Sequence, residues 1–350
     1  MLEKLRKNLF LVFKKNEIRV HELNYLFWEC TTRCNLNCLH CGSDCAKDSL
    51  HADMPLNDFL AAIDSIKTKD RRIMVVITGG EPLLRNDLEA CGRAIRKTGM
   101  RWGMVSNGYQ YTAEKQASLL SAGMGSLTLS LDGLEETHNW LRNARLSYSR
   151  VMSAIDLAVS SERLNFDIVT CVNQRNLKEL PDILKILTDK GVKAWRLFTI
   201  APIGRAKDNA ELLLTDVQLK ELMDFIVVSR KQKLIDVKFS CEGYTGPYEF
   251  KVRDGGFFCR AGINIGSVLI DGSISACPNI DRSFAQGNIY NDNLGEIWET
   301  RFQDFRKRDW TRKGQCENCS DFKYCGGNGM HLWHGDKENV LVCHASKIST

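Results

Sequence analysis

From about residue 23 to 235, short apolar runs alternate with longer amphipathic ones, and this rhythm constrains the fold more than any other feature of the chain. The runs at 25–28, 73–78, 101–106, 126–131, 166–172 and 194–200 read as strands. The stretches 56–68, 87–98, 113–122, 149–161, 177–190 and 215–233 read as helices. Six strands, each followed by a helix, predict a parallel sheet with right-handed crossovers. Such a sheet lies open or curls into a full or partial barrel, and in each case ligands sit at the carboxyl ends of its strands.

Polar and glycine-containing motifs fall at those ends. Gly79-Gly80-Glu81-Pro82 follows the second strand and Ser106-Asn107-Gly108 the third. Ser130 and Asp132-Gly133 close the fourth, and Asn173 follows the fifth. Behind the first strand comes Cys34-Asn35-Leu36-Asn37-Cys38-Leu39-His40-Cys41. Three thiolates can hold three irons of a cubane cluster and leave the fourth without a protein ligand, which is a place for chemistry. A zinc knuckle is the alternative, but zinc sites usually pair two short Cys/His spacings, and no second one lies close by. Cys30 and Cys45 flank the run outside its spacing; with Cys91 and Cys171 they read as small buried hydrophobes. Gly79-Gly80 lets backbone approach a ligand closely, although a strand-to-helix turn uses the same residues.

The formal charge of +5 is small for 350 residues and its basic groups are scattered, which gives nucleic-acid binding no support. Fourteen cysteines are many, but the N-terminal apolar stretch at 8–13 is too short for a signal peptide or a membrane span, and no other segment approaches a span. The cysteines therefore read as reduced, metal-binding and cytoplasmic. After about residue 236 the chain becomes glycine- and cysteine-rich, with Cys259, Cys277, Cys316, Cys319, Cys325 and Cys343, and Asp271-Gly272 reads as a hairpin turn. The expected organisation is a lead segment 1–22, a core 23–235 and a small domain 236–350.

The cysteine run, Gly79-Gly80-Glu81-Pro82, Ser106-Asn107-Gly108 and Ser130-Leu131-Asp132-Gly133 together resemble the radical S-adenosylmethionine (SAM) superfamily over roughly residues 22–235. The resemblance implies a partial (β/α)6 TIM-like barrel whose 4Fe–4S cluster, held by Cys34, Cys38 and Cys41, binds SAM and delivers the electron that yields a 5′-deoxyadenosyl radical. It implies an electron donor such as flavodoxin or ferredoxin. Carried over by position, Gly79, Gly80 and Glu81 would engage the methionine amine. Ser106, Asn107, Ser130 and Asp132 would meet the ribose or adjoining groups, and Arg142 the methionine carboxylate. The bland alternatives are strand-end capping for the two serines and a solvated helix face for Arg142.

The C-terminal cysteines resemble the SPASM extension of the same superfamily, with a zinc ribbon as the alternative. Cys316, Cys319, Cys325 and Cys343 would hold one auxiliary 4Fe–4S cluster. Cys259 and Cys277 are what remains of a second set: position 329, where that pattern has a further cysteine, is glycine, and an upstream cysteine is missing. Cys241, His331 or an exogenous ligand could fill in, but this second site is expected to be absent or atypical. His331, His334 and His344 read as polar loop residues near the last cysteines.

Three functions compete: modification of a peptide or protein, action on a small molecule such as a haem precursor, and a non-catalytic iron–sulfur or zinc protein. The last needs neither an open iron nor a SAM-like rim, and the sequence leans towards the first. Anaerobic sulfatase-maturing enzymes carry an aspartate directly after the hairpin cysteine; here Pro278 follows Cys277 and Asp281 is out of register, so that activity is not expected.

Overall fold

The computed structural model describes residues 2–66, 73–240, 242–334 and 339–349; Cys241 and the last two residues of the helix predicted at 56–68 lie outside them. Its centre is a run of parallel strands, β1 (Tyr25–Thr31), β2 (Met74–Gly79), β3 (Arg101–Ser106), β4 (Met124–Ser130), β5 (Asn165–Val172), β6 (Ala194–Thr199) and β7 (Asp236–Phe239), each paired with the next. The six predicted strands are all present. The seventh was not foreseen: Asp236-Val237-Lys238-Phe239 is too short and too charged to stand out as an apolar run.

Helices cover the outer face: α2 (Leu56–Asp64), α3 (Leu88–Lys97), α4 (Ala113–Ser121), α5 (Glu135–Arg142), α6 (Ser147–Val159), α7 (Leu180–Asp189) and α8 (Asp216–Gln232), with α1 (Leu2–Val20) ahead of the sheet. Strand alternation sorts the side chains. Leu26, Trp28 and Cys30 of β1 face the helices, where Trp28 stacks on Phe59 of α2 at 4.2 Å. Glu29 and Thr31 face the other way. α5 is an addition to the predicted set, since Glu135-Glu136-Thr137-His138-Asn139 hides its helical period behind charge. It nevertheless buries His138, Leu141 and Arg142 and ends on Asn143 in the left-handed region, with φ 52°.

The C-terminal segment joins the same sheet. β8 (Ile265–Val268) pairs in parallel with β1, β9 (Ser273–Ser275) returns antiparallel through the turn at Asp271-Gly272, and β10 (Gly287–Asn288) pairs with β9. The strand order is β10-β9-β8-β1-β2-β3-β4-β5-β6-β7, so the sheet is a partial barrel with two edges. The lead segment is a helix, not a bare lead: α1 lies on the C-terminal domain through Phe10 against Phe250, Phe13 against Phe258 and a 3.0 Å ion pair from Arg260 to Glu17. No helix among the described residues is long and apolar enough to cross a membrane.

Candidate active site

Because the strands run in parallel, their carboxyl ends share one rim, and the cysteine loop leaves β1 there. Two glycines fix where it runs. A Cβ on Gly80 would sit 2.1 Å from the Arg33 carbonyl oxygen, and one on Gly79 (φ 131°) would sit 2.0 Å from that of Thr31. The backbone N–H groups of Gly80 and Glu81 donate to those same oxygens at 2.8 and 2.9 Å. The end of β2 is thus in backbone contact with the chain one residue before Cys34.

Glu81 is fully buried and its carboxylate organises the rim. It accepts from Leu83 N at 3.1 Å, Ser106 Oγ at 2.9 Å and Asn107 N at 2.8 Å. Burial raises its pKa against the pull of these donors. Asn107 continues the chain of contacts: its Nδ2 donates to Asn35 Oδ1 at 2.8 Å and lies 4.0 Å from Cys34 Sγ. Ser130 is buried at the end of β4, and its hydroxyl has no hydrogen-bond partner among the described residues. Asn173 caps the turn after β5, accepting from Arg175 N at 2.9 Å.

Asp132 and Arg142 form a buried pair. Arg142 Nε and Nη2 reach Asp132 Oδ2 at 2.6 and 2.5 Å, and Cys171 N donates to Oδ1 at 2.7 Å. Burial is the largest single influence on Asp132 and opposes its charge, but the Arg142 guanidinium, His40, His138 and the Cys171 N–H together outweigh it and hold the carboxyl below its ordinary range. Arg142 Nη1 also lies 3.7 Å from Cys38 Sγ. The solvated helix face considered for Arg142 is therefore wrong: α5 packs over the cysteine loop, with Leu39 N donating to Leu141 O at 2.9 Å.

Within the loop, burial raises the Cys34 thiol to about 11 and raises Cys38 as well. Cys41 moves the other way, to about 6, chiefly because the Cys45 thiol hydrogen-bonds to it. Cys45 is buried as expected, but it is also the partner of Cys41, a contact that its position outside the motif concealed. Cys171 likewise has company: its sulfur, a His40 nitrogen and an Asp132 oxygen lie within 4.8 Å of one another. That trio does not suit a cation, since Asp132 is committed to Arg142, whose charge would repel one.

Far along the chain a second cysteine group converges. Cys316 responds to the charges of Cys343 and Cys319, and Cys325 to those of Cys343 and Cys316. Burial raises Cys316 to about 11 and Cys325 to about 12. At Gly329 a Cβ would meet the His331 ring at 2.6 Å, so that imidazole fills the room of a side chain there. His331 and His344 are not the loop residues expected. His331 Nε2 faces Glu242 Oε2 at 3.4 Å, and buried His344 reaches Thr199 Oγ1 at 3.1 Å. His334 is exposed and fits the expectation.

Beside the first cysteine loop and the segment after Cys277 lies a cavity of about 250 Å³, lined among others by Gly42, Ser43, Ile203, Pro278, Arg282 and His331.

Comparison with known proteins agrees with this arrangement. The sequence profile of the radical SAM superfamily matches residues 28–187, and that of the SPASM iron–sulfur cluster-binding domain matches residues 259–320. The chain belongs to the radical SAM superfamily. It is 27% identical to an AdoMet-dependent heme synthase of Methanosarcina barkeri over 86% of this chain and 89% of that one. It is also 27% identical to the mycofactocin maturase MftC of Mycolicibacterium smegmatis over 87% and 77% respectively. The structure of native anSMEcpe with bound AdoMet and the Cp18Cys peptide superimposes with a TM-score of 0.72 at 20% identity, covering 94% of each chain.

As a radical SAM enzyme the protein works with 4Fe–4S clusters and SAM. The cysteine geometry suits clusters better than zinc. Zinc–sulfur bonds of about 2.3 Å place tetrahedral sulfurs about 3.8 Å apart. No three cysteine sulfurs among the described residues lie within 4.8 Å of one another, although each group is close enough to share charge. A cubane, with its metals at separate corners, needs that wider spacing.

Proposed function

We propose that this radical SAM enzyme modifies a peptide or protein substrate. In this reading Cys34, Cys38 and Cys41 hold the cluster that binds SAM and supplies the electron for a 5′-deoxyadenosyl radical. Gly79, Gly80 and Glu81 shape the floor for the methionine portion, while Ser106, Asn107, Ser130 and Asp132 line the nucleoside side. Arg142 keeps Asp132 ionised and donates towards Cys38, so its contribution to the methionine carboxylate is electrostatic. Cys316, Cys319, Cys325 and Cys343 hold a single auxiliary 4Fe–4S cluster. Cys259 and Cys277 serve the hairpin rather than a second one. The division into 1–22, 23–235 and 236–350 belongs to the same reading, with β7 at the seam, as do a cytoplasmic location and a flavodoxin- or ferredoxin-like donor.

The mouth cavity carries the choice of substrate. At about 250 Å³ it lies below the roughly 300–1,000 Å³ that enclose drug-sized ligands, so it takes one side chain more readily than a macrocycle. Its acidic lining residues are already paired, Glu29 with Arg282 and Asp281 with His334 inside the lining and Asp44 with Arg205 outside it. A haem-precursor tetrapyrrole is the second reading, and the heme synthase relatives are what favours it. The test is anaerobic turnover of reconstituted enzyme with SAM and reductant, offered peptide pools and haem-precursor tetrapyrroles separately. A peptide mass change coupled to 5′-deoxyadenosine supports the first reading. The same coupling to a tetrapyrrole, with none on any peptide, overturns it.

A further inference from the structure

The N-terminal helix docks through a charge. Lys14 is the one buried side chain of α1 among its described residues, at 9% exposure, while its neighbours Phe13 and Lys15 are exposed. Its ammonium donates to the Tyr324 carbonyl at 2.7 Å, one residue before Cys325, and lies 5.5 Å from the centre of the Phe258 ring. A second cation, Arg308, binds three carbonyls there, Phe305 O at 3.0 Å, Asn328 O at 3.2 Å and Cys259 O at 3.2 Å, and its guanidinium also hydrogen-bonds the Cys259 sulfur, whose pKa is lowered. Neither forms a salt bridge among the described residues. Glu249, whose charge reaches Lys14, is already used by Thr245, Phe257 and, at 3.9 Å, Arg253.

Two desolvated cations side by side disfavour the fold unless an anion answers them. Burial first, then Arg308, lower the pKa of Lys14 to about 8, and the strongest opposing influence is the sulfur of Cys325. The backbone beside that sulfur is also arranged for negative charge. Gly326, Gly327 and Asn328 all have positive φ, at 67°, 79° and 71°, and Asn328 N donates to Cys325 Sγ at 3.1 Å. Helical Cys325 followed by left-handed Gly326 makes the right- to left-handed step that forms a concave, anion-holding nest. Four thiolates around a cubane supply the anion that the protein's carboxylates do not.

We infer that Lys14, carried by the N-terminal helix, tunes the auxiliary cluster, holding its reduction potential above the value it would have without that cation. The inference rests on the proposed ligand set of Cys316, Cys319, Cys325 and Cys343. Its physics is simple: reduction adds a negative charge to the cluster, and a fixed cation in a medium of low dielectric stabilises the reduced form more than the oxidised one. Lys14 is a tuning residue and touches neither substrate nor SAM.

The test is a redox titration of the full-length, reconstituted protein followed by EPR, without SAM or substrate. Lys14→Met should keep the wild-type iron content, and at a fixed potential its reduced-to-oxidised ratio should fall about tenfold, equal to about 59 mV for one electron. Lys14→Arg should stay within about twofold of wild type. Full iron with an unmoved midpoint in K14M overturns the role of Lys14. Should K14M fail to fold, Lys14→Gln keeps a donor to the Tyr324 carbonyl without the charge, and the same shift is required of it. A C343A protein that retains the auxiliary signal would instead sink the ligand set.

Discussion

Gly80→Ala is a one-methyl test of how the rim positions the cysteine loop. The new Cβ would start 2.1 Å from the Arg33 carbonyl oxygen, and ordinary contact begins at 3.4 Å, so the two must part by at least 1.3 Å. β2 is paired on both sides, whereas the cysteine loop is tied at fewer points, so the loop gives way. Overpacking of this kind costs about 1–3 kcal/mol. Breaking the 2.9 Å bond from Glu81 N to the same oxygen leaves a buried donor unpaired, for about 1–3 kcal/mol more. A total near 2–6 kcal/mol lies within the stability of a typical domain, so the protein should still fold. Cys34, the next residue, moves with Arg33, and metal–sulfur bonds tolerate only about 0.2 Å. After anaerobic reconstitution, G80A should hold about four fewer irons per chain, with the C-terminal cluster retained. Its 5′-deoxyadenosine production should fall about a hundredfold or more. Gly125→Ala is the control, since its Cβ finds its first neighbour at 3.9 Å and should change neither quantity. Wild-type iron and turnover in G80A would refute the argument, because the glycine would then be serving the turn alone.

Arg142→Met should destabilise the apoprotein by about 3–5 kcal/mol in urea unfolding, because it strands the fully buried Asp132 carboxylate. The double variant with Asp132→Asn should recover most of that loss; a double variant no more stable than R142M alone would contradict the pairing. His138 predicts an acid limb. Burial, then the Arg142 charge, hold its pKa at about 3, while its neutral ring accepts from Asp132 N at 3.0 Å. An unfolded histidine, near 6.5, takes up the proton first, so this contribution is intact above about pH 6.5 and is lost as pH falls towards 3. Unfolding of apoprotein at pH 7, 6 and 5 should show a shallower decline for His138→Asn than for wild type, and equal slopes would count against it.

What could be read from the sequence follows physical locality. Each strand buries one face and keeps a short, mostly apolar run even where it carries a charge, as β5 does at Asp167 and β6 at Arg196. Strands β1 to β6 were therefore legible to within a few residues, and with them the rim that gathers Glu81, Ser106, Asn107, Ser130 and Asp132. The spacing of Cys34, Cys38 and Cys41 is local too. Contacts between distant segments were not legible. Nothing in the helix ending at Arg142 says that it lies over Cys38, and a lysine among exposed neighbours in α1 looks like any solvated charge. Nor does a short strand at residue 265 announce that it will pair with residue 25. That pairing has the largest consequence for function. β1 carries the cysteine loop at its end, and its Glu29 accepts from Ile270 N at 2.9 Å and from Arg282 at 3.0 Å, both in the C-terminal segment. The cavity therefore has the SAM-side loop on one wall and the hairpin on the other, with one strand bonded to both. Cutting the Glu29 staple should loosen the hairpin wall without moving the cysteines, whereas a change at Gly80 moves the cysteines and leaves the hairpin in place. The two walls can be perturbed one at a time because they meet at a single strand.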